Sequence, residues 1–552
     1  MLCGALTLAA PGMHAQSVPS TVAPGSIERQ LNQQPPSPPA NNLSIPPPSG
    51  FEAPPNAAGI ALHLTAIEIT GATAISAEEL EKAYHNFIGR DGTVADLYAA
   101  ANAITAKYTE KGFALSFAVV PKQVIENGRA QILVIEGYVA EYRFEGDDTP
   151  PVLTGYAAHI LVSKPLRTAT LERFLLLAND IPGYTVRSVF DRIENAPRGA
   201  TRLVIHVEHK AFSGGWTEDN RGSRALGPWR LDLNARADGL LGFGESIGLR
   251  SFLSTDLNEL RYGSVDTSWP LGNNGTRLVA AGSYSDSHPS VPLLSAAGFG
   301  SNGITARLGA EHPLIRSRIE TLQLDAYVSG QWLKSSLASL PNSRDHVYTL
   351  SVGGTYWVYN ASGLWSAAAH AVQGLPVFGA TTPSVPLRSR ASGSGVFTAL
   401  NVTAMRLQRL SDEFDALASI SGQLSSRGLL SSQQCGYGGM QFGRGFDDSE
   451  IVGDDCATAS LELRYNAGFA GELGLQGLQF YGFGDGGYAM RRGQLLPQER
   501  RSDSAASAGA GVRWRINDNL SGWAEYAQPL GRDVALENNR HGRVFVAISA
   551  GF

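Results

Sequence analysis

The sequence predicts a mixed architecture: two small α/β modules, then a transmembrane antiparallel β-barrel of about 16 strands. Three observations lead there. Only 17% of the 552 residues are charged although 43% are hydrophobic, whereas a soluble domain carries about a quarter charged. Helical periodicity is concentrated before Lys210, where one order of elements occurs twice. Beyond Lys210 apolar and polar residues alternate between glycine-rich turns, and no apolar run reaches the roughly 18–20 residues of a spanning helix.

Leu2 to Ala10 has the length of a signal-peptide core, with Met13-His14-Ala15 as a cleavage site, so 1–15 is assigned as a signal peptide. Its basic opening is missing, as if clipped. Residues 16–34 form a leader in which Ser26 can cap a short helix, although an unstructured leader fits equally. Residues 35–60 are proline-rich and read as an extended linker.

The first module spans 61–138. Leu62–Thr70 reads as a strand, and Ser76–His85 as a helix with Ser76 and Glu79 spaced for a capping box. Thr93–Lys111 reads as a longer helix with Leu97, Ala101, Ile104 and Tyr108 on one face, ended by Gly112. Strands follow at Ala114–Val120 and Ala130–Ile135. The second module, 139–209, repeats the plan with a strand at Val139–Phe144, a helix at Thr170–Ala178, and strands at Tyr184–Ile193 and Thr201–His209.

The remainder, 210–552, is the barrel. Leu231–Ala237 and Leu322–Ser329 alternate strictly, as strands with lipid on one face and water on the other do. Gly272-Asn273-Asn274-Gly275 is a turn. At the end, Val544, Val546, Ile548, Ala550 and Phe552 share one face. A barrel of this size leaves an aqueous lumen.

The most informative stretch is Gly438–Leu463, a long loop near 436–456 that feeds a strand and carries Arg444-Gly445-Phe446. Arginine cannot shed its charge, so a buried loop tip requires a fixed carboxylate. Phe483-Gly484-Asp485-Gly486-Gly487, on another strand, offers Asp485. Cys435 and Cys456 bracket the loop: a disulfide at its base and two separate thiols both fit the spacing. Asp447-Asp448 and Asp454-Asp455 are expected on a solvated or lumen-facing loop surface.

Known catalytic patterns are missing from the sequence. Gly443–Phe446 lacks the Lys-Ser/Thr of a phosphate loop and leads into a strand. There is no G-x-S-x-G elbow, HExxH helix, calcium loop or CxxC, and the 11 histidines are scattered. No catalytic residue, metal or cofactor is assigned, so the expectation is a non-enzyme. A net charge of −6, with no basic stripe between aromatics, argues against a nucleic-acid partner.

The Arg444-Gly445-Phe446 loop and the F-x-D-x-G strand, with Phe483, Asp485 and Gly487, resemble the inward-folded sixth loop and its facing strand in two-partner secretion transporters. These are outer-membrane barrels of the hemolysin secretion/activation family. Tyr108, Gly112-Phe113, Pro121, Gln123, Gly128 and Glu136-Gly137 fall where that family's polypeptide-transport-associated (POTRA) domain places its pattern. Asp219-Asn220-Arg221-Gly222 and Gly239–Glu245 resemble its first barrel strands, with Glu245 in place of the usual Asp. Cys435 stands where an aromatic is common.

The resemblance implies a helix within 16–34 that plugs the pore, two periplasmic POTRA domains, and an Arg444–Asp485 contact between loop and wall. It also implies export of a secreted exoprotein, a β-helical hemolysin or adhesin with an N-terminal secretion domain. Outer-membrane lipid and, during biogenesis, the barrel-assembly machinery are further partners. A barrel-assembly insertase of the same superfamily and a passive porin are the rival readings.

Overall fold

The computed structural model describes residues 20–22, 25, 39, 52–497 and 499–552. The signal peptide at 1–15 lies outside them, as do most of the leader with its candidate plug helix and most of the linker. Ser20–Val22 forms one 3-10 turn.

The first module has strands Ala61–His63, Ala66–Thr70 and Asp91–Thr93, helices Ala77–Tyr84 and Val94–Glu110, and strands Phe117–Val119 and Arg129–Ile135. Arg129–Ile135 is the central strand of a three-stranded sheet, parallel to Ala66–Thr70 and antiparallel to Phe117–Val119. Leu97, Ala101, Ile104 and Tyr108 are all buried against it. The capping box is displaced from its expected position. Ser76 makes no side-chain cap and Glu79 pairs with Lys111; the box forms only at Thr93 and Asp96 among the described residues.

The second module contains a helix that its alternation did not announce, Pro151–Val162, beside Thr168–Asn179. Its inner face (Val152, Leu153, Tyr156, Ala157, Ile160) is buried, but apolar residues continue around to Val162, which is 81% exposed. The sequence contrast between faces is therefore weak. With this helix the strands Tyr138–Gly146, Tyr184–Arg192 and Ala200–His209 repeat the first module's sheet, parallel then antiparallel. The modules join where the Thr168 N–H donates to Gly112 O (2.8 Å) and the Leu166 N–H to Gly137 O (2.8 Å). The second module is pinned to the barrel base by Arg316, which holds Asp180 through Nε (2.7 Å) and Nη2 (2.8 Å).

Sixteen strands close the barrel among the described residues, from Phe212–Asp219 to Arg543–Gly551. The closing seam is short, running from Ala547 opposite Asp219 to Gly551 opposite Gly215. Asn220 extends it with its side chain, accepting from Val546 N (2.7 Å) and donating to Val544 O (3.0 Å). Alternation sorts the two faces. Leu233, Leu324 and Val328 are exposed outward, while Asp232 binds Arg250 (Nε–Oδ1 2.9 Å) and Asp325 faces His370 (3.1 Å) on the inner wall. Phe414, Tyr465 and Phe480 stack in series near the periplasmic rim, with centroids 5.1 and 6.5 Å apart, as an aromatic girdle. In the last strand Val544 and Ile548 face outward with Phe552 beyond it, while Phe545 and Ala547 are buried.

Candidate functional site: an inward loop clamped to the barrel wall

The loop between the eleventh strand (Phe414–Ser425) and the twelfth (Asp455–Asn466) turns into the lumen. Its base is a small hairpin, Cys435–Tyr437 against Ile451–Gly453, closed by a Cys435–Cys456 disulfide with Cα atoms 6.1 Å apart. Tyr437, Phe442, Phe446 and Ile451 give the loop a core of its own, which packs on Ala489 and Ala505 of the wall. Phe446 is 2% exposed.

Arg444 is held by the thirteenth strand, Gly477–Met490. Its backbone N–H and Nε both donate to Asp485 Oδ2 (3.1 Å each), and Nη2 donates to Oδ1 (3.0 Å). The guanidinium lies 3.5 Å over the Phe483 ring centroid. Ser460 (2.7 Å) and Ser507 (3.2 Å) donate to the same carboxylate. Side-chain exposure is 6% for Arg444 and 0% for Asp485, so the pair is dehydrated.

The glycines are explained by close approach. A Cβ on Gly487 would sit 2.2 Å from the Tyr437 ring, and one on Gly445 would sit 2.9 Å from Pro529 N. Gly509 and Gly511 on the next strand make room for the Phe483 and Tyr481 rings.

The clamp is larger than one pair. Arg444 Nη1 also meets Glu462 Oε2 (2.5 Å) and approaches Glu525 Oε2 (3.7 Å). Arg513 (2.8 Å) and Arg464 (2.7 Å) hold Glu462, while Arg221 pairs with Glu525 and donates to Arg444 O (3.1 Å). Every carboxylate of the cluster thus faces an opposite charge. Glu462, Glu525 and Arg221 are the residues the sequence did not single out for this role. The signal was present: Ser460, Glu462 and Arg464 alternate on one face, as do Tyr481, Phe483 and Asp485.

The acidic pairs are largely buried, and do not form the solvated or lumen-facing loop surface that the sequence led us to expect. Asp447 is 2% and Asp454 0% exposed. Asp447 takes Arg543 Nη2 (2.7 Å), and Asp448 takes Arg230 Nη1 (3.4 Å). Asp454 gathers three extracellular loops by accepting from Arg390 Nη1 (2.6 Å), Leu429 N (2.8 Å) and Arg492 N (2.6 Å). Their arginine partners come from distant segments, which is why local sequence suggested solvent.

At the same end of the barrel, Ser20 Oγ donates to Ser449 O (2.7 Å), and Val22 packs with Leu226, Phe252 and Tyr262. At the other end, Tyr359 OH donates to Pro39 O (3.0 Å).

In the first module the motif residues are structural. Glu136 accepts from Thr73 N (2.7 Å), Ala74 N (2.7 Å) and Tyr108 OH (2.7 Å). Burial raises its pKa, but these hydrogen bonds outweigh burial and hold the carboxyl below its ordinary value. Burial and Glu136 together push the Tyr108 hydroxyl up. The Gln123 side-chain amide donates to Gln131 O (2.8 Å) and Pro121 O (3.3 Å) and accepts from Gln131 N (2.7 Å), and Gly112 takes φ +82° at the helix end. A Cβ on Gly137 would meet Leu115 O at 2.3 Å. In the barrel, Glu245 ties its periplasmic turn by accepting from Leu241 N (2.6 Å) and Phe243 N (3.1 Å).

Comparison with known proteins matches this geometry. The family described as haemolysin secretion/activation protein ShlB/FhaC/HecB matches residues 199–514, and the ShlB-type POTRA domain matches 62–137. The heme/hemopexin transporter protein HuxB of Haemophilus influenzae strain 86-028NP is 24% identical over 478 residues, covering 83% of this chain and 81% of HuxB. The hemolysin transporter protein HpmB of Proteus mirabilis is 24% identical over 386 residues, covering 67% of this chain and 66% of HpmB. In fold, the chain is similar to CdiB from Escherichia coli (TM-score 0.71, 21% identity, 96% and 95% of the two chains). It also resembles BamA from Haemophilus ducreyi lacking POTRA domains 1–3 (TM-score 0.53, 16% identity, 89% and 100%).

Proposed function

The chain belongs to the haemolysin secretion/activation family of outer-membrane two-partner secretion transporters, and from that premise we propose how it exports its partner. The barrel spans the outer membrane with its POTRA domains in the periplasm. The cargo is an unfolded exoprotein, a β-helical hemolysin or adhesin with an N-terminal secretion domain. The relatives are named as transporters of heme/hemopexin and of hemolysin. Tyr184–Arg192 is an edge strand of the second module's sheet; Asn179 covers it at Val186, and the stretch beyond offers an edge on which an extended segment can add by β-augmentation. Such capture needs no particular cargo sequence.

The loop bearing Arg444 is the moving part. It fills the lumen and must shift for a chain to pass. A clamp of discrete ion pairs gives it two states, docked and released, rather than a continuum. The single observation that carries this reading is the dehydrated Arg444–Asp485 pair at the loop tip. A static buttress would show the same contact but would not need to open. The leader plug is the second obstacle, and the seating of Ser20–Val22 beside Ser449 supports its passage alongside the loop. Direction comes from folding outside, where burial of the cargo's apolar surface opposes return. The transporter performs no enzymatic chemistry on this reading, and the barrel-assembly machinery inserts it.

Deleting 61–209 tests the export reading. Secretion should stop while a folded barrel remains; a barrel that still secretes the exoprotein without these modules overturns POTRA capture.

A further inference from the structure

On the extracellular rim, above the eleventh to thirteenth strands, an open groove of about 560 Å³ is lined by Pro383, Ser392, Ser426, Arg427, Arg492 and Arg501. Its position relative to the membrane can be worked out from the thirteenth strand. Phe480 (43% exposed) belongs to the periplasmic girdle, and Tyr488 (47% exposed) is the next aromatic on the same outward face. Eight residues at about 3.4 Å each, tilted by about 40°, place these rings roughly 21 Å apart along the barrel axis. That is close to the ~25 Å apolar band of an outer-membrane barrel. Tyr488 therefore marks the outer interface. Met490, two residues on, lines the groove from the same face, and so does Ser426, two residues beyond the 62%-exposed Leu424. The groove opens toward the headgroup layer of the outer leaflet, not into the lumen.

Its charge is unbalanced. The acids beside it are already engaged: Asp455 by Arg492 Nε (2.6 Å) and Asp503 by Arg491 Nη1 (2.9 Å). Arg501 turns Nη1 to the carbonyls of Arg491 (3.2 Å) and Gly493 (3.0 Å) and meets no carboxylate among the described residues. Neither Arg427 nor the adjacent Arg500 forms an ion pair among the described residues. Exposed guanidinium groups over an apolar belt suit one kind of ligand, an anionic headgroup attached to acyl chains. A small soluble anion would gain nothing from Leu424 and Tyr488 beneath it.

We propose that this groove binds the phosphate of a phosphorylated outer-leaflet glycolipid of the lipid A class, with Arg427 and Arg501 as ligands and Leu424 and Tyr488 packing its acyl chains. Arg492, anchored by Asp455 and by its backbone N–H to Asp454, sets the depth of the site. Because Asp454 also ties Arg390 and Leu429, an occupied groove would brace the loops around the exit.

The test uses the full-length protein in detergent, titrated with bisphosphorylated lipid A and, separately, with the same lipid stripped of phosphate, and read by native mass spectrometry. The wild type should bind the phosphorylated lipid at least tenfold more tightly than the stripped one. Arg427→Gln/Arg501→Gln should lose that preference, and Arg427→Lys/Arg501→Lys should keep part of it. Heat-modifiable migration verifies that each barrel is folded, so a lost barrel is not mistaken for a lost site. Equal binding of the two lipids, or an unchanged preference in the glutamine variant, overturns the proposal in favour of nonspecific annular lipid. Displacement of the lipid by millimolar inorganic phosphate alone also overturns it, because the apolar belt would then contribute nothing.

Discussion

Removing Arg444 and removing Asp485 should not be equivalent, and the difference follows from the distribution of partners. Arg444→Ala leaves Asp485, 0% exposed, with two serine hydroxyls, the backbone N–H of residue 444 and no cation. Stranding a buried charge costs about 3–5 kcal/mol. Glu462 keeps Arg513 and Arg464, and Glu525 keeps Arg221, so the penalty falls on the one site. Asp485→Asn is milder. Arg444 retains Glu462 at 2.5 Å and Glu525 at 3.7 Å, and the expected cost is about 1–3 kcal/mol. At 1.4 kcal/mol per decade, Arg444→Ala should raise the released population of the loop by about 10²- to 4 × 10³-fold. Asp485→Asn should raise it by about 10- to 100-fold. Hydrogen exchange of amides 438–450 in the reconstituted, heat-modifiable barrel reads this directly. Equal exchange in all three proteins, or faster exchange in Asp485→Asn than in Arg444→Ala, would refute the reasoning.

Three further outcomes follow from the same contacts. Gly487→Ala should drive a methyl into Tyr437, 2.2 Å away, costing about 1–3 kcal/mol by overpacking and speeding exchange of the loop hairpin without moving Arg444. Reducing Cys435–Cys456, which closes a separation of 21 residues, should loosen the loop base by about 3 kcal/mol, seen as faster exchange at 435–453 in reductant. Glu136 has a lowered folded pKa, so its stabilisation is complete above the unfolded carboxyl value of about 4.3 and disappears as pH falls through the lower folded value. Amide protection across 62–137 should therefore persist at pH 5 and fall as the pH drops below about 4, and Glu136→Gln should weaken protection at pH 7 and flatten that fall.

The barrel could be read from the sequence because a period of two survives in wall segments such as Leu231–Ala237 and Leu322–Ser329. Pairing of Arg444 with Asp485 was readable because a permanent cation in a glycine-rich tip demands an anion nearby. Two classes of feature were hidden. Pro151–Val162 is apolar on more than one face, so it lacks the contrast by which a helix shows. Glu462, Glu525 and Arg221 look like any inward polar residue until closure sets the first, twelfth and fifteenth strands around one loop. Ser76 and Glu79 had the spacing of a capping box, but Glu79 pairs with Lys111.

Whether the loop must leave the wall is best tested by fastening it there. A Cβ on Gly445 would lie 3.0 Å from that of Ser507, close enough for Gly445→Cys/Ser507→Cys to oxidise with a small shift. The readout is exoprotein released to the medium, scored with barrel level and heat-modifiability controlled. A moving loop predicts that the oxidised double variant secretes nothing and that mild reductant restores release to the level of the Gly445→Cys single variant, whose Cβ already crowds Pro529 N. Undiminished secretion through a fully cross-linked, folded barrel would contradict the account and leave Arg444 as a buttress.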